Sequence, residues 1–196
     1  MLPDALRTEL AAVPGLRLLT QPEELERFSR DAYDYSPVLS QRLAHCRAEL
    51  VVRPDSVEAV VRVAAACRRH AVPLTLRGSG TGNYGQSVPL ESGVVMVMTQ
   101  LRAVRSIDQV SGVAEVECGC LLKDLNRELA GFGRQLRLMP STWRSATIGG
   151  FIAGGSGGIG SVRWGFLRDP GHLLGLEVVT MEPVSYTHLR AHETSH

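Results

Sequence analysis

Residues 74–86, Leu74-Thr75-Leu76-Arg77-Gly78-Ser79-Gly80-Thr81-Gly82-Asn83-Tyr84-Gly85-Gln86, run a short apolar strand straight into a loop with four glycines. Glycine has no Cβ to block an approaching anion and accepts positive φ, so such a loop can offer several bare backbone N–H groups to one phosphate. A second segment of the same character follows at Ala146-Thr147-Ile148-Gly149-Gly150-Phe151-Ile152-Ala153-Gly154-Gly155-Ser156-Gly157-Gly158-Ile159-Gly160-Ser161. One glycine loop is a turn, but two widely separated ones suggest walls closing on a single long ligand, and a dinucleotide has that length.

Other chemistries fit these residues less well. Gly80-Thr81-Gly82-Asn83-Tyr84-Gly85 and Gly155-Ser156-Gly157-Gly158-Ile159-Gly160 both satisfy G-x-G-x-x-G, but a Rossmann site needs those glycines to open a helix facing the pyrophosphate. Gln86-Ser87-Val88-Pro89 is too short and too β-like for that helix, and Ser161-Val162-Arg163-Trp164-Gly165 lacks helical periodicity. Gly154-Gly155-Ser156-Gly157-Gly158 also matches the nucleophile elbow of serine hydrolases, which needs a strand before it, a helix after it and a later histidine base. Only His172, in the turn Asp169-Pro170-Gly171-His172, and three histidines near the C-terminus follow it. A hydrolase using Ser156 is the alternative from another enzyme class.

Composition narrows the partners. The 196 residues, 44% apolar, suit one domain or two small ones, and a net charge of +1 gives no broad footprint for nucleic acid. Arginine carries almost all the basic charge, Lys123 being the only lysine, which reflects coding bias rather than nucleic-acid binding. Cys46, Cys67, Cys118 and Cys120 form no Cys-x-x-Cys pair and are expected to be reduced, buried thiols, with no structural metal. No signal-like leader and no transmembrane segment is visible, so a cytoplasmic location is expected.

The elements that must hold the loops follow from periodicity. Residues 1–45 read as a helical lead-in, with helices over Asp4–Ala12 and Glu23–Phe28 and a connector at residues 31–37. Leu50-Val51-Val52 is a strand. Ser56 caps a helix burying Val57, Val60, Val61, Ala64 and Ala65, and Leu74-Thr75-Leu76 follows as a parallel strand. The first loop therefore sits at a strand's C-terminal end, where α/β folds usually bind ligands. Strands are expected at residues 94–98, 104–107 and 114–118, then a helix from Leu121 to Ala130 with Leu121, Leu122, Leu125 and Leu129 on one face, stopped by Gly131 and Gly133. Leu173–Met181 is the last strand. Residues 183–196 change composition abruptly and carry His188, His192 and His196; the stretch is expected to be a non-native tail rather than a metal site.

Taken in order, Val52-Arg53-Pro54-Asp55-Ser56-Val57-Glu58, Arg77-Gly78-Ser79-Gly80-Thr81, Pro140-Ser141-Thr142 and Ala146-Thr147-Ile148-Gly149-Gly150 closely resemble the FAD-binding domain of the FAD-linked oxidase family. That fold is shared with p-cresol methylhydroxylase and vanillyl-alcohol oxidase, and the glycolate oxidase flavin subunit and D-lactate dehydrogenases look similar. The resemblance implies an α+β fold of two α/β subdomains with FAD between them, over residues 46–182 and incomplete at its C-terminal end.

It further implies that Arg77, Gly78, Ser79, Gly80, Thr81, Gly82, Asn83, Gly85 and Gln86 form the pyrophosphate loop. Backbone amides and small hydroxyls can neutralise a diphosphate without lysine. Pro140, Ser141, Thr142, Thr147, Gly149 and Gly150 match positions lining the ribityl chain and flavin ring. Gly154, Gly157 and Gly160 let backbone approach the cofactor, and Val178 flanks it. Arg77 and Asp169 could equally form a screened surface pair.

Some members of this fold tether FAD through a histidine where Thr81 stands here, so the resemblance implies non-covalent FAD. In full length, such a protein is expected to oxidise a small 2-hydroxy acid by hydride transfer to FAD, with a possible electron-acceptor subunit. A non-catalytic flavin-binding subunit is the alternative. No catalytic residue is identified, and residues 1–182 alone are expected to bind FAD weakly and aggregate.

Overall fold

The computed structural model describes residues 1–32 and 36–181, together with the backbone of residues 186–190. Four strands, β1 (Leu16–Leu19), β2 (Leu50–Pro54), β3 (Leu74–Arg77) and β4 (Val94–Val97), form one sheet in the order β1-β2-β4-β3. β1 runs antiparallel to β2, while β2 and β3 both run parallel to β4. The expected parallel relation of β2 and β3 is present, but β4 lies between them.

Helices α1 (Asp4–Ala11), α2 (Pro22–Phe28), α3 (Pro37–Leu43) and α4 (Val57–Arg69) belong to the same half. Both faces of the sheet are covered, which is why its central strands are continuously apolar rather than alternating. Leu50, Val52, Val94 and Met96 pack with Leu6 and Leu10 of α1 and Val60, Val63 and Cys67 of α4. Val51, Val95 and Val97 pack the opposite way, against Leu19 and Ala48, with Leu25 and Phe28 of α2 beside them. Each fully buried aliphatic side chain contributes about 1.5–3 kcal/mol, so this two-sided core is the main source of rigidity beneath the first glycine loop.

Ser56 caps α4 as expected, its Oγ accepting from Ala59 N at 3.3 Å. The buried side differs in detail. Ala59, Val60, Val63, Ala64, Ala66 and Cys67 are buried, whereas Val61 and Ala65 lie at its margin. The lead-in is not purely helical, since β1 forms the sheet edge within it. Of the expected connector, residues 33–35 lie outside the described residues, and Ser36 caps α3 by accepting from Leu39 N.

The second half packs around its own centre. β5 (Val104–Asp108) and β6 (Val113–Val116) form an antiparallel hairpin, followed by α5 (Leu122–Ala130). Leu125 and Leu129 bury against the hairpin with Cys120, while Leu122 joins Leu138, Ala146 and Phe151 in an adjoining cluster. Leu121 caps α5 rather than lying in it. The helix ends with Gly133 at φ +67°, where Gly133 N donates to Ala130 O and Arg134 N to Leu129 O.

Then come α6 (Ile148–Gly154), the single turn α7 (Ser161–Trp164), and the strands β7 (Gly175–Val179) and β8 (Tyr186–Arg190), paired antiparallel. β7 is shorter than the expected 173–181. The whole is α+β, with two packing centres.

Candidate functional site

Arg77 is the last residue of β3, and its carbonyl accepts from Met98 N at 2.8 Å, so the sheet fixes where the loop departs. The loop from Gly78 to Gln86 has no helix or strand of its own. Among the described residues, no protein acceptor takes the amides of Ser79, Gly80 or Thr81. Gly80 and Gly85 have φ of +71° and +79°, conformations that an L side chain would strain. Gln86 turns back on the loop, its Oε1 accepting from Tyr84 N at 3.2 Å and lying against Gly82. Asn83 is exposed at the tip, and Ser79 and Thr81 are half-buried.

The second segment is positioned from α5 and β6. Gly149 N donates to Cys118 O at 2.8 Å and Ile148 N to Cys120 O at 2.9 Å, which lays the start of α6 against the end of the hairpin. A Cβ on Gly149 would stand 2.7 Å from Cys118 Cβ, so glycine is required by this approach. Thr147 caps α6, its Oγ1 accepting from Gly150 N at 3.2 Å, and is 1% exposed.

The two segments meet here: a Cβ on Gly78 would overlap Thr147 Oγ1. The two sequence-distant glycine segments thus meet at Gly78 and Thr147. Pro140, Ser141 and Thr142 are joined to the far end of the second segment by the bridge of Met139 and Ile159, where each amide donates to the other's carbonyl. Gly157, against the Phe166 ring, and Gly160, against Arg137 O, lie in that closure, while Gly154 ends α6 with open space beside it.

Arg77 does not form the alternative surface pair with Asp169. It is buried, its Nη1 donates to Phe28 O at 3.4 Å and to Ser87 Oγ at 3.1 Å, and its guanidinium lies 5.8 Å from the Phe28 ring centre. Burial pulls its pKa down, opposed by the negative charge of Asp31. Asp169 instead accepts from Phe166 N at 2.7 Å. Phe28, Asp31, Ala32 and Ser87 were not legible as site residues, because only the packed lead-in brings them under the loop.

β7 is tied to α4, with Val179 in the α1–α4 core, and Val178 projects to the opposite side of its strand. Cys118, two residues beyond β6, is exposed, contrary to the expectation of four buried thiols.

The second G-x-G-x-x-G does run into a helix, contrary to expectation. That helix, α7, is one turn ended by Gly165 and is no crossover to a parallel strand. Ser156 follows a helix rather than a strand, and His172 Nε2 lies 2.7 Å from Trp164 O, to which it must donate. The nucleophile elbow is therefore not built. Two open cavities among the described residues, of about 240 and 380 Å³, adjoin Gly15 and Asp55 near β1 and β2, away from the glycine loops.

Residues 48–183 match a protein family described as FAD binding domain. Over 194 residues the chain is 31% identical to glycolate oxidase subunit GlcD of Escherichia coli strain K12, covering 95% of this chain and 36% of that protein. It is 30% identical over 167 residues to the mitochondrial D-2-hydroxyglutarate dehydrogenase of Rattus norvegicus, covering 85% of this chain and 29% of that one. The fold superposes on an alkyldihydroxyacetonephosphate synthase with a TM-score of 0.83 at 22% identity, over 98% of this chain and 39% of that one. The chain thus spans about a third of the length of the relatives it matches.

Proposed function

Since the chain belongs to the FAD binding domain family, we propose that the loop after β3 and the Thr147–Gly160 segment are two walls of an FAD site. The enzyme would be a flavoprotein that oxidises a small 2-hydroxy acid. The observation that carries this reading is the contact of Gly78 with Thr147, which joins the two glycine segments into one site.

The residues fit the cofactor. The amides of Ser79, Gly80 and Thr81, which no acceptor takes among the described residues, lie on backbone with few Cβ atoms and suit a diphosphate that no lysine is needed to neutralise. Gly154 and Gly155 have no neighbour within 4 Å of where a Cβ would stand, so bare backbone borders open space there. Bound flavin supplies the redox chemistry by taking up a hydride, and the chain supplies position and electrostatics. Buried Thr147 holds the seam, and Pro140–Thr142 closes the far side.

Glycolate and 2-hydroxyglutarate, named in two relatives, are both 2-hydroxy acids, which supports that substrate class. The catalytic base and substrate contacts belong, in this reading, to the further two-thirds of a full-length protein. The E. coli relative is a subunit, which favours an electron-acceptor partner subunit and keeps a non-catalytic flavin-binding role as the second reading. In this reading residues 183–196 are a non-native tail, whose strand Tyr186–Arg190 pairs with β7, and the location is cytoplasmic. No helix among the described residues is long and apolar enough to cross a membrane.

FAD is held without a covalent bond, since residues 78–86 contain no histidine or cysteine. Gel filtration of the chain mixed with FAD tests binding: flavin absorbance should travel with the protein and stay in solution after acid precipitation. Flavin in the acid pellet would overturn the non-covalent assignment. Anaerobic mixing of the full-length protein with a panel of 2-hydroxy acids should bleach the flavin, and no bleaching by any of them would favour the non-catalytic role.

A further inference from the structure

Arg77 carries a positive charge beside the loop, yet its side chain is engaged by protein. The guanidinium reaches the last turn of α2 at Phe28 O, closes on Ser87 Oγ beyond the loop's far end, and rests near the Phe28 ring. Gly80 folds over it so closely that a Cβ there would overlap the guanidinium. A second tie lies beside it, Ala32 N donating to Gly82 O at 2.8 Å. The residues that make these ties are anchored in turn, since Ser29 Oγ donates to Leu25 O at 2.6 Å and accepts from Ala48 N at 2.8 Å.

We infer that Arg77 and residues 28–32 form a clamp beneath the loop, so that a segment preceding the matched domain positions the amides that receive the FAD diphosphate. The inference rests on the FAD reading above. An irregular loop loses about 1–2 kcal/mol of backbone entropy for each residue it orders, and a loop ordered before the ligand arrives spares the ligand that cost. Arg77 is thus a positioning residue, acting through Gly80 and Ser87. Lysine does not reproduce it: a single Nη1 serves both Phe28 O and Ser87 Oγ, but it is held there by a planar guanidinium near the Phe28 ring and under Gly80, a face that a flexible ammonium stem lacks.

The test compares Arg77→Lys and Ser87→Ala with the unaltered chain by two measurements, hydrogen exchange of residues 78–86 without ligand and FAD affinity from quenching of flavin fluorescence. Arg77→Lys should speed ligand-free exchange and weaken FAD by about ten-fold or more in each, the scale of one lost hydrogen bond to a charged group. Ser87→Ala should move both in the same direction by less, and it carries the test alone if the arginine variant fails to fold.

Weaker FAD binding with unchanged ligand-free exchange would make Arg77 a direct ligand and overturn the clamp. So would Arg77→Lys affinity within about two-fold of the unaltered chain. If the unaltered chain binds no FAD while Arg77→Lys still loosens the loop, the clamp stands and the FAD reading falls.

Discussion

Gly78 and Thr147 are the pair on which the site turns, and their chemistry is separable. Thr147→Ala removes the cap of α6 and should cost about 1 kcal/mol, read by denaturant titration. Gly78→Ala forces a methyl into a buried hydroxyl and should cost about 1–3 kcal/mol while weakening FAD. Combined, the two should cost less than their sum, because the smaller side chain removes the clash; strict additivity would show that the loops do not touch. Thiols test the core in a different way. Burial pushes the Cys67 thiol up to about 11, so at pH 8 it holds almost no thiolate; desolvation raises the Cys118 thiol as well, but that residue is exposed and open to reagent. Iodoacetamide followed by mass spectrometry should label native Cys118 and reach Cys67 only after unfolding.

At the scale of elements, α4 ends on a residue unsuited to its place. Ala71 has φ +52°, with Ala71 N donating to Arg68 O and Val72 N to Cys67 O, a left-handed cap that favours glycine. Ala71→Gly should therefore raise stability, by about 1 kcal/mol, since the Cβ penalty of that conformation disappears. The same helix end carries a pH dependence. Glu9 of α1 is held below the usual carboxylate range, first by His70, at 3.0 Å, and then by Arg69.

A depressed carboxylate contributes stability that is present above its unfolded pKa and lost as pH falls through the folded one. The α1–α4 contact should thus loosen in acid, and Glu9→Gln should flatten that part of the stability profile. Short apolar runs made β2, β3 and β4 legible, and periodicity made α4, the β5–β6 hairpin and α5 legible, because each of these buries one regular face. It hid α6, where Gly149, Gly150 and Gly154 lower helix propensity by about 1 kcal/mol each and only the approach to Cys118 explains the first of them. It also hid β1, whose four residues between two helices become a strand only by pairing with β2.

Across the whole molecule, the backbone of the proposed cofactor site was written locally as glycine, whereas its support was not. Arg77, Phe28 and Ala32 come together through packing of α2 on the sheet, a long-range event that no short motif records. The same scale governs association. β3 is an edge strand with β4 on one side only, and Leu76 on it is 59% exposed. Ile159, Val162, Trp164 and Phe166 add exposed apolar surface beyond the second loop. An open edge beside apolar surface templates pairing between chains, and a charge on the edge strand blocks it. Sedimentation of the 196-residue chain should therefore show association that rises with concentration, and Leu76→Lys should suppress it without lowering the melting temperature. A chain that stays monomeric and melts cooperatively at every concentration would mean that neither β3 nor the apolar patch is a pairing surface.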